Sequence, residues 1–349
     1  MQNKVSPLQI ASRPATRLLV AFVAFLLLAI GLIASLLLGD RPLDASTVCD
    51  AIFHYDAGST AHTIVRDWRL PRAVADVLVG ASLAVAGAIM QAITRNPLAS
   101  PGIMGLNSGA SFAAVVALVF LPESARSQLM LVSILGAALG AALVYGLGSL
   151  SRGGLTPVRL ALTGMAVSAL LGAMGNGLTI YYQLGQDLML WFARGTEGVR
   201  WGDIAMILPL TSIGLLAAAA LAPSLGVLTL GDQVARGLGQ RTRLTKFFAA
   251  VIVLILAGSA VSLAGPVGFV GLVVPHLARY LVGLNQRAVI PTSAVFGSIL
   301  MLYADLGARL STTPFKTPVP VGVVTALIGV PFFIYLACRR RTNSREGCV

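Results

Sequence analysis

Charge is scarce in this chain. Only 11% of its 349 residues are Asp, Glu, Lys or Arg, while 56% are hydrophobic and the mean hydropathy is +0.85. Soluble domains carry about a quarter charged residues, so a water-exposed globule is excluded. Cysteine is sparse as well. The three residues, Cys49, Cys338 and Cys348, are too few for a disulfide framework, and the topology below separates the first from the other two. Histidine is equally rare: His54 and His62 share a loop with Asp50 and Asp56 at no recognised ligand spacing, and His276 stands alone, so no metal site is expected. The sequence contains no G-x-x-x-x-G-K-[ST] phosphate loop, which excludes ATP hydrolysis by that chemistry within this polypeptide. No catalytic residue is assigned.

What the chain has in abundance is long apolar runs. Ten reach the length of a membrane-spanning helix, at about 18–38, 71–94, 102–121, 129–150, 158–183, 203–222, 246–264, 267–284, 289–308 and 320–337. The expected fold is therefore an all-α polytopic membrane protein, with residues 1–349 forming a single transmembrane domain. With the amino terminus placed in the cytoplasm, sixteen of the 25 Lys and Arg residues fall on the inner side, opposed only by Asp232 and Glu346. The outer side takes the other eleven acidic residues. This is the positive-inside bias, and it supports ten spans with both termini cytoplasmic. It also accounts for the net charge of +12 through membrane topology and anionic lipid, with no nucleic-acid partner. The first run lacks a small-residue cleavage site and reads as a retained anchor.

The stretch Arg69–Ser111, RLPRAVADVLVGASLAVAGAIMQAITRNPLASPGIMGLNSGAS, organises the rest. Arginines stand before the second span, Gly80 and Gly87 sit within it, and Arg95-Asn96-Pro97 closes it, a pattern for closely packed helices ending at a watery boundary. A fainter echo, GASLAVAGAIM against GSAVSLAGPVG, lies five spans apart and suits an inverted repeat. The largest inner loop, 223–245, reads PSLGVLTLGDQVARGLGQRTRLT; Leu230, Val234 and Leu238 recur at helical spacing, and Asp232 favours a helix start. In the fifth span Asn176 and Thr179 stand in apolar surroundings, where an amide needs a neighbouring helix or a watery pathway.

These strings, together with GPVGFVGLVVPHLARYLVG and PVGVVTALIGVPFFIYL, resemble the FecCD family of permeases that import iron-siderophore, haem and cobalamin, over nearly the whole chain. The resemblance implies a type II ABC importer permease with an inverted repeat, in the bacterial inner membrane. It implies three partners: a cytoplasmic ATPase dimer that binds ATP and Mg, a periplasmic or lipid-anchored substrate-binding protein, and a second permease subunit, self or paralogue. On the same ground Arg69, Arg72 and Arg309 are expected to receive carboxylates of the binding protein, and Asn96, Leu98 and Thr156 to form the cytoplasmic gate. Asp232, Val234, Ala235, Arg236, Gly237, Leu238 and Gly239 are expected to lie in short coupling helices seated on the ATPase, and Asn176 and Thr179 to line the pathway. Lys316-Thr317-Pro318 stands where the family usually carries an acidic residue, which alters the local outer contacts.

A ferric siderophore is the expected cargo, with haem or cobalamin as alternatives. An ion-coupled secondary transporter would place carboxylates near span centres. Here Asp76 and Asp305 are expected towards the outer ends of their spans, and the ATP-driven reading is preferred.

Overall fold

The computed structural model describes residues 14–39, 42–150, 157–185, 195–315 and 319–345. Every regular element among them is helical. In chain order these are α1 (Pro14–Leu37), α2 (Ala45–Phe53), α3 (Thr60–Thr94), α4 (Leu106–Phe120), α5 (Arg126–Ser149), α6 (Pro157–Tyr181), α7 (Trp201–Thr229), α8 (Asp232–Gly237), α9 (Thr242–Ala264), α10 (Val270–Val282), α11 (Gln286–Phe315) and α12 (Val321–Arg345). Seven of them are long and apolar enough to cross a membrane, and three shorter apolar helices, Leu106–Phe120, Val270–Val282 and Val321–Ile334, complete the set.

Helix α3 is the axis of the bundle. Its apolar window is 83% buried, against 17% for α1 and 28% for α6 and α7, whose leucines and phenylalanines face outward as lipid would require. Helices α7, α9, α10 and α11 all pack on α3. Small residues make this approach close: a Cβ at Gly80 would run into the Gly297 carbonyl of α11, and one at Gly87 into the Gly271 carbonyl of α10. Residues 75–84 of α3 cluster with 260–264 of α9, and 85–93 cluster with 249–261, so the two helices run antiparallel. Each is followed by an irregular stretch and a short apolar helix, α4 or α10. The echo between residues 80–90 and 258–268 therefore has an architectural counterpart.

Helix ends depart from expectation at several places. The second helix of the expected set starts at Thr60, inside the expected outer loop, and the ninth runs on to Phe315; three further departures have a local reason. The third run starts at Leu106, since Pro101–Met104 forms a 3-10 turn and Gly105 (φ 71) turns left-handed before the helix begins. The eighth starts at Val270, after Phe269 (φ 64). The inner loop expected at 223–245 shrinks at both ends. Helix α7 continues to Thr229 because Leu225 and Leu228 are still buried, and α9 begins at Thr242. One six-residue helix, α8, remains between them.

Candidate functional site

Three parts of the bundle carry polar chemistry, and the first is the end expected to face outward. Here α3 begins, α1 ends and α11 passes. Asp305, fully buried, holds two arginines: Arg72 donates from Nε and Nη2 at 2.7–3.1 Å, and Arg309 donates from Nε at 2.7 Å. Arg309 also bonds the Ser35 carbonyl (3.1 Å) and hydroxyl (2.7 Å), and Arg69 donates to the carbonyls of Leu36 and Leu37 at the open end of α1. The three arginines expected as a socket thus already serve this chain: Arg69 and Arg309 are 7% and 9% exposed. Arg72 keeps an outward edge, its side chain 16% exposed and its Nη1 bonded to nothing among the described residues. One turn further along α3, buried Asp76 accepts from Thr196 at 2.6 Å, tying the segment before α7 to the core. Arg126 spans the Asp203 carboxylate and the Leu263 carbonyl at the same end.

The opposite end, expected to face the cytoplasm, is built differently. Helix α3 ends on Arg95 (φ 51), and Asn96 closes a tight turn in which its Oδ1 accepts from the Leu98 N–H at 3.0 Å. The Arg95 guanidinium lies beside Gly231, at the entry to α8. In α8, Ala235 is buried against the core while Val234 and Leu238 are 50% and 66% exposed. Arg236 is exposed, with Gly237 and left-handed Gly239 (φ 80) ending the helix. Asp232 is bonded by the Lys246 ammonium, which with the charges of Lys246, Arg95 and Arg236 holds its carboxyl below the usual range. Thr156 lies outside the described residues, as do Lys316-Thr317-Pro318.

Between these ends α4 and α6 form a half-open cavity of about 420 Å³, to whose lining Pro266 also contributes. Its lining includes Asn107, Ser108 and Ser111 from the start of α4, Phe112, and Asn176 and Thr179 from α6. Thr179 spends its hydroxyl on the Gly175 carbonyl. The side chains of Asn107, Ser108, Ser111 and Asn176 hydrogen-bond to nothing among the described residues. Asn176 and Thr179, expected at a pathway, do share a cavity wall. The three polar residues of α4 were not singled out in the sequence, although the string LNSGAS carries them immediately after a Pro-Gly break. The first irregular stretch packs on α10, since a Cβ on Gly271 would lie 3.2 Å from Pro101 and 2.7 Å from the Leu83 carbonyl in mid α3.

Comparison with known proteins places this geometry. Residues 27–339 match the FecCD transport family. The iron(3+)-hydroxamate import system permease protein FhuB of Bacillus subtilis (strain 168) is 47% identical over 96% of this chain and 86% of its own length. The Fe(3+)-citrate import system permease protein YfmD of the same organism is 44% identical, covering 94% and 97%. The cobalamin import system permease protein BtuC of Halobacterium salinarum is 37% identical, covering 88% and 82%. Among solved structures, one described as an inward-facing conformation of a metal-chelate type ABC transporter aligns with a TM-score of 0.79 at 27% identity, covering 91% of this chain and 98% of that one. Fold and sequence agree, and the chain belongs to the FecCD transport family of membrane permeases.

Proposed function

We propose that this chain is the membrane-spanning subunit of an ATP-driven importer for a ferric siderophore, paired in the bacterial inner membrane with a copy of itself or a paralogue. The observation that carries the coupling is α8. It is a six-residue helix outside the bundle that keeps Val234 and Leu238 exposed while anchored through Ala235 and the Asp232–Lys246 pair. An exposed apolar pair on a fixed helix suits a seat in another protein. Residues 232–239 would occupy a cleft of a separate ATPase dimer, which binds ATP and Mg. The relatives that import ferric hydroxamates and citrate support iron-chelate cargo.

At the other end a substrate-binding protein, periplasmic or lipid-anchored, would dock over α2 and the start of α3. In this reading Arg69 and Arg309 brace the platform, and Arg72 offers its outward edge to a partner carboxylate, sharing its charge with Asp305. Cargo then passes along the cavity wall of α4 and α6. The turn Asn96–Leu98, with Thr156, closes the path on the cytoplasmic side. Rocking of α8 would reach that turn through Arg95, which touches both.

The test is uptake of radioactive iron, presented on defined chelators, into proteoliposomes holding the permease, the ATPase and the binding protein. Uptake that needs ATP and both partners is expected. Uptake driven by a proton or sodium gradient without ATP would overturn the reading.

A further inference from the structure

Arg279 lies one turn before the end of α10, half-buried, and its Nη2 donates to the side-chain carbonyl of Gln91 on α3. Gln91 is itself buried and donates from Nε2 to the carbonyls of Gly271 and Leu272, at 3.4 and 3.3 Å. The amide thus fixes the guanidinium, and the bond crosses the same joint at which Gly87 and Gly271 bring α3 and α10 together. What is missing is an opposite charge. Among the described residues the guanidinium has no other hydrogen-bond partner and no carboxylate within ion-pair distance.

The sequence offers little at this end to fill that gap. Helices α3 and α10 both finish here, at the end expected to face the cytoplasm, where the topology leaves only Asp232 and Glu346. Asp232 is taken by Lys246, and α12, which packs on α10, carries no acidic residue from Val321 to Arg345. Glu346 lies outside the described residues. Arginine keeps its charge where burial would neutralise a lysine, and a charge inside a membrane span needs a counter-charge. The surroundings say of what kind. His276, one turn earlier on the same flank of α10, stands 6.3 Å from the Phe332 ring of α12, so Arg279 lies on the side of α10 towards that helix. Around it Leu277 and Tyr280 of α10 and Ile334 of α12 are exposed. A water-soluble anion gains nothing from that apolar surround. A phospholipid covers it with acyl chains while its phosphate takes the free edge of the guanidinium fork.

We infer that Arg279 holds the phosphate of an anionic phospholipid, in the leaflet at this end of the bundle, and that this lipid completes the joint between α3 and α10. The depth fits. Arg279 lies roughly 5 Å inside the end of its helix, a distance that a long side chain spans to reach the headgroup layer. Gln91 occupies one edge of the fork and leaves Nε and Nη1 for the ligand.

The experiment titrates the full-length permease in detergent with phosphatidylglycerol or phosphatidylcholine, reading bound lipid by native mass spectrometry and the thermal midpoint in parallel. Wild type is expected to bind phosphatidylglycerol at least about tenfold more tightly than phosphatidylcholine, and to melt higher with it. Arg279→Gln, which keeps a polar group for Gln91, should bring the two lipids within about twofold of each other. Arg279→Lys, which keeps the charge without the fork, should retain part of the preference. Arg287→Gln, at an exposed position of α11, and Glu346→Gln should leave it intact. A wild-type protein that binds both lipids alike would overturn the inference, whether or not the glutamine variant folds. An equal loss in Arg287→Gln would overturn it in favour of diffuse attraction by the basic end. A midpoint lowered in Glu346→Gln as far as in Arg279→Gln would hand the counter-charge to Glu346. Inorganic phosphate that raises the midpoint as much as phosphatidylglycerol would replace the lipid by a free anion. Loss of ATPase co-purification in Arg279→Gln, with the lipid preference intact, would assign the arginine to a protein partner instead.

Discussion

The two ends of this bundle use arginine in opposite ways. At the outer end Arg69, Arg72 and Arg309 are drawn inside and bonded to Asp305 or to the carbonyls that finish α1. At the inner end Arg95, Arg236, Arg241 and Arg243 are exposed around a helix only six residues long. Buried charge must be paired and then fixes geometry, whereas exposed charge is screened, contributes little to stability and remains open to a partner. The first end is accordingly braced from within, while the second leaves its charges open to solvent.

The strongest way to break that contrast is to remove the buried carboxylate. Asp305→Ala would strand two guanidinium groups and is expected to destabilise the protein by about 3–5 kcal/mol, read as a lowered thermal midpoint in detergent. A combined change of Asp305 to Leu with Arg72 and Arg309 to Met should recover much of that loss. Unchanged thermal stability in Asp305→Ala would mean that the cluster braces nothing.

The corresponding disruption at the inner end should do the reverse. Val234→Asp with Leu238→Asp is expected to shift stability by no more than about 0.5 kcal/mol, as exposed sites usually do, yet to abolish ATPase co-purification. Retained co-purification would remove α8 from the interface.

Arg72 sharpens the comparison because it belongs partly to both kinds. Its side chain is 16% exposed, against 8% for Arg309. Arg72→Gln should weaken binding-protein affinity by up to about tenfold, near 1.4 kcal/mol, while Arg309→Gln should lower thermal stability more and affinity less. Equal effects on affinity would dissolve the distinction between brace and socket.

The smallest effect concerns Asp232. Its carboxyl is depressed chiefly by the hydrogen bond from Lys246, so its contribution is present above the unfolded value, about 3.9, and disappears as pH falls through the lower folded value. With the two side chains 28% and 37% exposed, that contribution stays below about 1 kcal/mol. Thermal midpoints of wild type and Asp232→Asn should differ slightly near neutrality and converge in strong acid; a gap that widens on acidification would contradict the sign.

The fold class was legible because long uncharged runs have few homes outside a bilayer, and α8 was legible in part, from Val234 and Leu238 with Asp232 ahead of them, whereas Leu230 caps the end of α7. Its neighbourhood was less so. Leu225 and Leu228 prolong α7 by tertiary burial, which the loop-like string PSLGVLT does not announce. The Asp305–Arg309 spacing of four residues was visible, but Arg72 reaches Asp305 from 233 residues away, and no local pattern reports such a pair. The cavity was half legible: Asn176 stood out in an apolar span, whereas Asn107 and Ser108 fell within the expected run 102–121 and nothing local marked them as facing a cavity.

The entry to α3 has one more property. Ile64–Arg69 is wound as a π-helix, a wider turn than the α-helix on either side of it. One surplus residue there sets the rotational phase between the bundle and the cap formed by α2 and the first turn of α3. Deleting a single residue from this stretch would restore the ordinary pitch and swing that cap by about 100° around the helix axis. The direction in which that cap faces is thus set by residue count, and a change in chain length at this point would redirect it.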